Sequence, residues 1–317
     1  MTPRRARALG QAELVALLVI LVIAGQRWIR AEITSEAVQT WCTMFVAVVV
    51  QSTPFLVGGV LLSTVISRLV SERIIRRIVP RSPVLAVPVA GLAGICLPGC
   101  ECAAVPVTDS LLRRGVGPGA AVTFLLAAPA INPTVIVSTA VAFRADQTMV
   151  VARVGASLAT AVLVGWWCVL RGDRLRLERR VRAHDHHQSF LQAAHHDFLH
   201  AAGFLVFGAM AAAAVNTFVP REIMDSVAGH AVLGVLALAT FAFVAALCSE
   251  SDAFVAASLT SFSDTAKLAF LVVGPAMDVK LATMEAGQFG MAFARQFVPV
   301  VLVVALLCAV ATGWLLL

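Results

Sequence analysis

The chain reads as a series of long apolar runs separated by short polar connections. A run of about 20 apolar residues is long enough for a helix, rising ~1.5 Å per residue, to cross ~30 Å of hydrocarbon. By that measure residues 12–29, 41–67, 115–143, 148–170, 199–218, 266–284 and 296–317 are seven spanning helices. Two further apolar stretches, 84–112 and 229–262, are interrupted near their middles by Pro, Cys or acidic residues. Pro88, Pro98 and Pro106 break the first, because proline offers no amide to the helical ladder. Each stretch is read as two half-helices that enter the membrane and return, the first pair meeting near Cys100. Such backbone survives at membrane depth only where protein or a wet cavity covers it. The expected fold is an all-α polytopic membrane protein with about seven spanning helices and two broken re-entrant hairpins, or eight to ten crossings if the hairpins are counted.

Composition supports this class. Of 317 residues 60% are hydrophobic and 13% charged, against ~45–50% and ~25% in a soluble domain. Mean hydropathy is +0.90. Segments of roughly ten residues alternating in polarity, the mark of a membrane barrel, do not occur. The net charge of +6 is concentrated in connections, as in the positive-inside pattern and unlike a nucleic-acid footprint. Arg4, Arg5 and Arg7 precede the first run; Arg68, Arg73, Arg76, Arg77 and Arg81 share one loop; Arg171, Arg174, Arg176, Arg179, Arg180 and Arg182 share another. All three regions are expected on the cytoplasmic side, with the N-terminus cytoplasmic and the first helix retained rather than cleaved as a signal peptide. Keeping both loops inside requires 84–112 to return to the side it entered, which also puts Arg113 and Arg114 inside. The seven cysteines lie in apolar segments, which argues against a secreted disulfide framework.

The order of anchors repeats. Cys100-Glu101-Cys102, Ser110-Leu111, Phe124-Leu125 and Pro129-Ala130-Ile131-Asn132 are followed later by Cys248-Ser249-Glu250-Ser251-Asp252, Ser258-Leu259, Phe270-Leu271 and Pro275-Ala276-Met277-Asp278. The offset is 148 residues at the first anchor and 146 at the last. This divides the chain into an additional N-terminal helix (1–40), a first repeat (41–170), a cytoplasmic basic and His-rich loop (171–198) and a second repeat (199–317). The second hairpin would begin from the opposite side, giving an inverted-topology repeat, the usual plan of secondary transporters.

The breaks concentrate chemistry. Cys100, Glu101 and Cys102 mark the first, and Cys248, Glu250 and Asp252 the second. Asn132 and Asp278 follow three residues after Pro129 and Pro275, where the next helix in each repeat should kink. Pro98, Pro106, Pro129, Pro133 and Pro275 are the expected helix breaks. Thiolates suit soft metals and metalloids, and carboxylates inside a membrane default to functional roles such as proton relay. Cys100, Cys102 and Cys248, with Asn132 and Asp278, are therefore the candidate substrate ligands, and Glu101, Glu250 and Asp252 the candidate coupling groups. Cys42, Cys168 and Cys308 read as packing residues. His196 and His200, one helical turn apart, have the spacing of a metal pair, but the preferred reading is a solvated polar loop ahead of the next helix.

At these residues the chain resembles the ArsP-type permeases, bacterial permeases that include exporters of trivalent organoarsenicals. The resemblance rests on Leu97 to Val107, on Gly115 to Pro133, and on Leu247 to Leu259 with Phe270 to Asp278. Many members have Cys-Ser-Cys-Gly where this chain has Cys100-Glu101-Cys102-Ala103. The resemblance implies transport and carries the family's cysteine roles to Cys100, Cys102 and Cys248. The expectation is a permease of the bacterial inner membrane, moving a small soft metalloid, metal or organoarsenical outward by alternating access. It needs no cofactor, and a second copy or a second permease subunit would be its protein partner. No G-x-x-x-x-G-K-[ST] segment is present for ATP binding. The rival readings are a membrane thiol oxidoreductase using Cys100 and Cys102, and a permease for another solute with structural cysteines.

Overall fold

The computed structural model describes residues 36–69, 80, 82–96, 101–144, 147–172, 190–218 and 230–317. The expected first helix (12–29), the cluster Arg73 to Arg81, the His184 to His187 stretch and the tip of the first hairpin with Pro98 and Cys100 lie outside the described residues. So do the side chains of Cys96, His196 and His200.

Among the described residues every element is helical. They are α1 (Glu36–Leu69), α2 (Pro83–Ala93) with a 3-10 turn (Gly94–Cys96), α3 (Glu101–Arg113), α4 (Pro118–Ile131), α5 (Pro133–Ala142) and α6 (Gln147–Arg171). Then follow α7 (Phe190–Phe218), α8 (Ala231–Ala245), α9 (Asp252–Ser258), α10 (Asp264–Ala276), α11 (Val279–Phe289) and α12 (Met291–Leu316). One order therefore occurs twice: a long helix, two short pairs, a long helix. Four stretches among the described residues are long and apolar enough to cross a membrane: Ala37–Val65, Pro118–Ala142, Gln147–Arg171 and Met291–Leu316. The fold is an all-α membrane protein. Its outward faces carry Val50, Leu85, Val137, Leu163, Phe207 and Leu307, whereas Glu101, Arg153, Asp252, Asp278, Lys280 and Glu285 are buried. That reverses the soluble arrangement, as lipid requires.

The two interrupted stretches form helix pairs, as expected. α2 has 11 residues and α3 has 13, so each rises only about 16–20 Å, short of ~30 Å of hydrocarbon. α8 has 15 residues and α9 only 7.

The prolines act differently from expectation. Pro106 lies inside α3 and Pro88 inside α2, and both helices continue through them. The 3-10 turn after α2 ends at Cys96 and α3 begins at Glu101. Continuation past Pro88 has a visible reason. Its missing N–H would have bonded the Val84 carbonyl four residues back, and the Trp166 indole N–H donates to that carbonyl at 3.0 Å. Pro129 and Pro275 lie inside the last turns of α4 and α10. The interruptions follow at Asn132 and at Met277–Asp278, and Pro133 is the first residue of α5.

Contacts link the two six-helix sets. α1 packs on α7, α6 on α12, α10 on α4 and α6, α3 on α11, and α5 on α9. Two glycines permit close approach. A Cβ on Gly59 of α1 would stand 2.5 Å from Ala103 Cα, and one on Gly208 of α7 would stand 2.8 Å from Lys280 Cα. The long helices thus clamp the starts of α3 and α11.

Candidate functional site

Short helices end in the interior, and their ends need partners there. Asn132 bridges one break. Its Oδ1 accepts from Val135 N at 2.8 Å and from the Thr134 hydroxyl at 2.6 Å, and its Nδ2 donates to the Ala128 carbonyl at 3.3 Å. Asp278 does the corresponding work 146 residues later, with Oδ1 accepting from Leu281 N at 2.5 Å. Both are fully buried N-caps. The Pro-Ala-x-Asn and Pro-Ala-x-Asp spacings thus encode the same construction: a helix ends, and a short polar side chain starts the next.

The first residues of α3 and α9 are carboxylates, each held by a cation from the other set of helices. Glu101 Oε1 accepts from Lys280 Nζ of α11 at 2.5 Å, and both side chains are 1% exposed. Asp252 accepts from Arg153 of α6 at 2.9 and 2.8 Å. The same guanidinium donates to the Ser249 carbonyl at 3.0 Å and to the Thr139 hydroxyl at 2.8 Å. A cation and an anion therefore cross between the helix sets in both directions. Buried ions are stable only with such partners.

The sulfurs lie in this region. Cys102 in the first turn of α3 is 0% exposed, and Cys248 in the turn between α8 and α9 is 4% exposed. Lys280 interacts electrostatically with Glu101, Cys102, Asp278 and Cys248. The Cys248 carbonyl accepts from the amides of Ser251 and Asp252 at 2.9 and 3.0 Å, which shapes the turn into α9. The residue ending α8, Ala246, has φ +48°, a left-handed conformation that disfavours side chains. Glu250, on the same turn, is half-buried, and the Thr134 hydroxyl reaches its Oε1 at 3.4 Å.

The expected residues Glu101, Cys102, Asn132, Cys248, Glu250, Asp252 and Asp278 thus lie at helix breaks, several joined across the two sets. Among the described residues no group of three or more His, Cys, Asp or Glu side chains has the arrangement to hold a metal ion. Three residues escaped the sequence reading: Arg153, Lys280 and Glu285. Their signal was present: Arg153 and Lys280 are ionisable within runs otherwise apolar enough to span, and Glu285 directly follows the end of one. Glu285 of α11 is 0% exposed, and among the described residues neither oxygen has a hydrogen-bond partner.

The chain is similar to known membrane permease sequences. A family model described as a predicted permease matches residues 37–314. The UPF0718 protein YcgR of Bacillus subtilis is 35% identical over 278 residues, covering 83% of this chain and 94% of that protein. A Streptococcus mutans protein, named as a candidate subunit of a two-component membrane permease complex, is 29% identical over 270 residues, covering 80% of this chain and 89% of its own. No solved structure matches.

Proposed function

The chain belongs to the ArsP-type family of predicted permeases, and on that premise we propose that it is a secondary transporter for a soft metalloid or metal species. In this reading the two helix sets are inverted repeats, and Cys102, Cys248 and Cys100 supply sulfur ligands between them. Glu101, Glu250 and Asp252 fix the charge around the cargo, and the basic connections face the cytoplasm. Export of a trivalent arsenical is the transport direction we favour. The carrying observation is the pair of reciprocal buried ion pairs, Glu101 with Lys280 and Asp252 with Arg153, at the ends of broken helices. Charge inside a membrane is expensive and marks solute pathways, and broken helices meeting at mid-depth are where such transporters bind. Burial of Cys102 and Cys248 counts against an oxidoreductase, whose thiols must meet a partner from water. The naming of the S. mutans relative as a complex subunit supports a second permease subunit as partner here.

The test is uptake of phenylarsenite into everted membrane vesicles carrying the full chain. ATP-independent uptake driven by an imposed ion gradient is expected. Cys100→Ser/Cys102→Ser/Cys248→Ser should abolish it; full uptake by that variant rejects the sulfur ligands, and no uptake by the wild type rejects this cargo.

A further inference from the structure

The buried interior does not balance its charge. Among the described residues it holds four carboxylates, Glu101, Asp252, Asp278 and Glu285, against two cations, Arg153 and Lys280. Two carboxylates are engaged: Glu101 by Lys280 and Asp252 by Arg153. Asp278 has a share in Lys280, whose Nζ lies 3.9 Å from its Oδ2. Among the described residues Glu285 has no cation and no hydrogen bond.

Packing alone does not demand a carboxyl there. At the offset of 146 residues that equates Asn132 with Asp278, Thr134 corresponds to Lys280 and Thr139 to Glu285. α5 thus fills its three positions with neutral polar residues where α11 carries three ionisable ones. Thr139 is also fully buried, and its hydroxyl bonds the Val135 carbonyl at 2.7 Å while accepting from Arg153. The corresponding position therefore accommodates a residue that satisfies itself within its helix.

We propose that Glu285 is a proton-carrying carboxyl, loaded and unloaded as the transporter cycles. This rests on the permease reading and adds the coupling ion to it. Asp278 and Glu285 are seven residues apart on one face of α11, two turns or about 10 Å along the axis. That separation is too wide for both to grip one metal ion, and Asp278 already shares Lys280, so Glu285 is left to be neutralised on its own. A proton does this for Glu285 with no further ligand: the carboxylate takes up H⁺ to become the acid and later returns it to water. Among the described side chains none is placed as a competing partner. The ionisable residues on elements packed against α11 are Glu101, Cys102, Asp109 and Arg113 of α3 and Arg295 and Cys308 of α12. α7 adds His195 among its described side chains, and α8 has none. Lys280 on α11 itself is committed to Glu101. Asp278 and, on α6, Cys168 also act on Glu285, and neither is a cation.

Dicyclohexylcarbodiimide attacks protonated carboxyls in apolar surroundings, so it reports this state without any cargo. In purified full-length protein the peptide containing Glu285 should acquire the adduct, about tenfold more slowly for each pH unit above its titration. Glu101→Gln should still label, and Glu285→Gln should not. No adduct at Glu285, or a rate indifferent to pH between about pH 5 and pH 9, overturns the proposal. A second variant, Glu285→Thr, copies the residue of α5. In proteoliposomes it should lose phenylarsenite accumulation driven by a pH gradient yet keep exchange at equal concentrations. Accumulation equal to wild type also overturns the proposal. If wild-type protein moves no phenylarsenite, the cargo assignment fails while the labelling still decides Glu285.

Discussion

Replacing Arg153 with Leu removes four hydrogen bonds at once: two to Asp252, one to the Ser249 carbonyl and one to the Thr139 hydroxyl. The replacement is apolar, so the loss falls on what stays behind, above all a carboxyl 2% exposed. Leaving one member of a buried pair ionised and alone costs about 3–5 kcal/mol. The carboxyl has an escape, which is to fold as the acid. Taking a proton at pH 7 against an ordinary aspartate value of about 3.9 costs about 4 kcal/mol, so protonation sets the ceiling. Arg153→Leu should therefore lose about 4 kcal/mol at pH 7. In the variant the folded protein holds a proton that the unfolded chain has released. Its stability should then rise as pH falls, by about 1.4 kcal/mol per unit down to about pH 4. Adding Asp252→Asn removes the stranded charge and should restore most of the loss, so the double variant is more stable than Arg153→Leu alone. Reversible unfolding in mixed detergent micelles at several pH values, run as a double-mutant cycle, measures all of this. A loss under about 1 kcal/mol, a pH-independent loss, or simple additivity would refute the reasoning.

Lys280→Met should destabilise in the same way by stranding Glu101, and Lys280→Met/Glu101→Gln should recover folded yield, read by size-exclusion recovery from membranes. Gly59→Ala puts a methyl 2.5 Å from the Ala103 Cα and should cost about 1–3 kcal/mol, while the neighbouring Gly58→Ala, with nothing within 4 Å, should be silent; thermal melts of the pair check this. Trp166→Phe should cost about 1 kcal/mol by orphaning the Val84 carbonyl; in a Pro88→Ala background, where the helix regains its own amide, that cost should vanish from the same melts.

Much of this architecture was legible from local pattern. Asn132 and Asp278 were found because each follows a repeated Pro-Ala anchor, a pattern readable from neighbouring residues; that they act as helix caps came from the structure. The hairpins were found because their apolar stretches lacked one uninterrupted span. Arg153 and Lys280 were harder. Each lies in a run that length and hydropathy describe as an ordinary span. Their partners lie 99 and 179 residues away in sequence, a distance over which periodicity carries no information. Pro106 was misread for a related reason: proline weakens a helix locally, but whether the helix ends depends on what the surrounding structure can supply. Trp166 supplies it for Pro88 by donating to the Val84 carbonyl, 82 residues away from that donor.

The ion pairs that cross between the helix sets also constrain how the chain can be made. A ribosome adding about 5–20 residues per second needs roughly 5–20 s to reach Asp252 after Arg153, and longer to reach Lys280 after Glu101. During that interval the first helices sit in lipid with charges that have no counterpart. The short pairs cannot yet be stably buried, because the surface that covers them has not been synthesised. Biogenesis must therefore tolerate a half-built intermediate whose charges bend toward the lipid headgroups. Final closure waits for the C-terminal helices, and a chain cut between α6 and α7 would leave two fragments, each dependent on the other to settle into the bilayer.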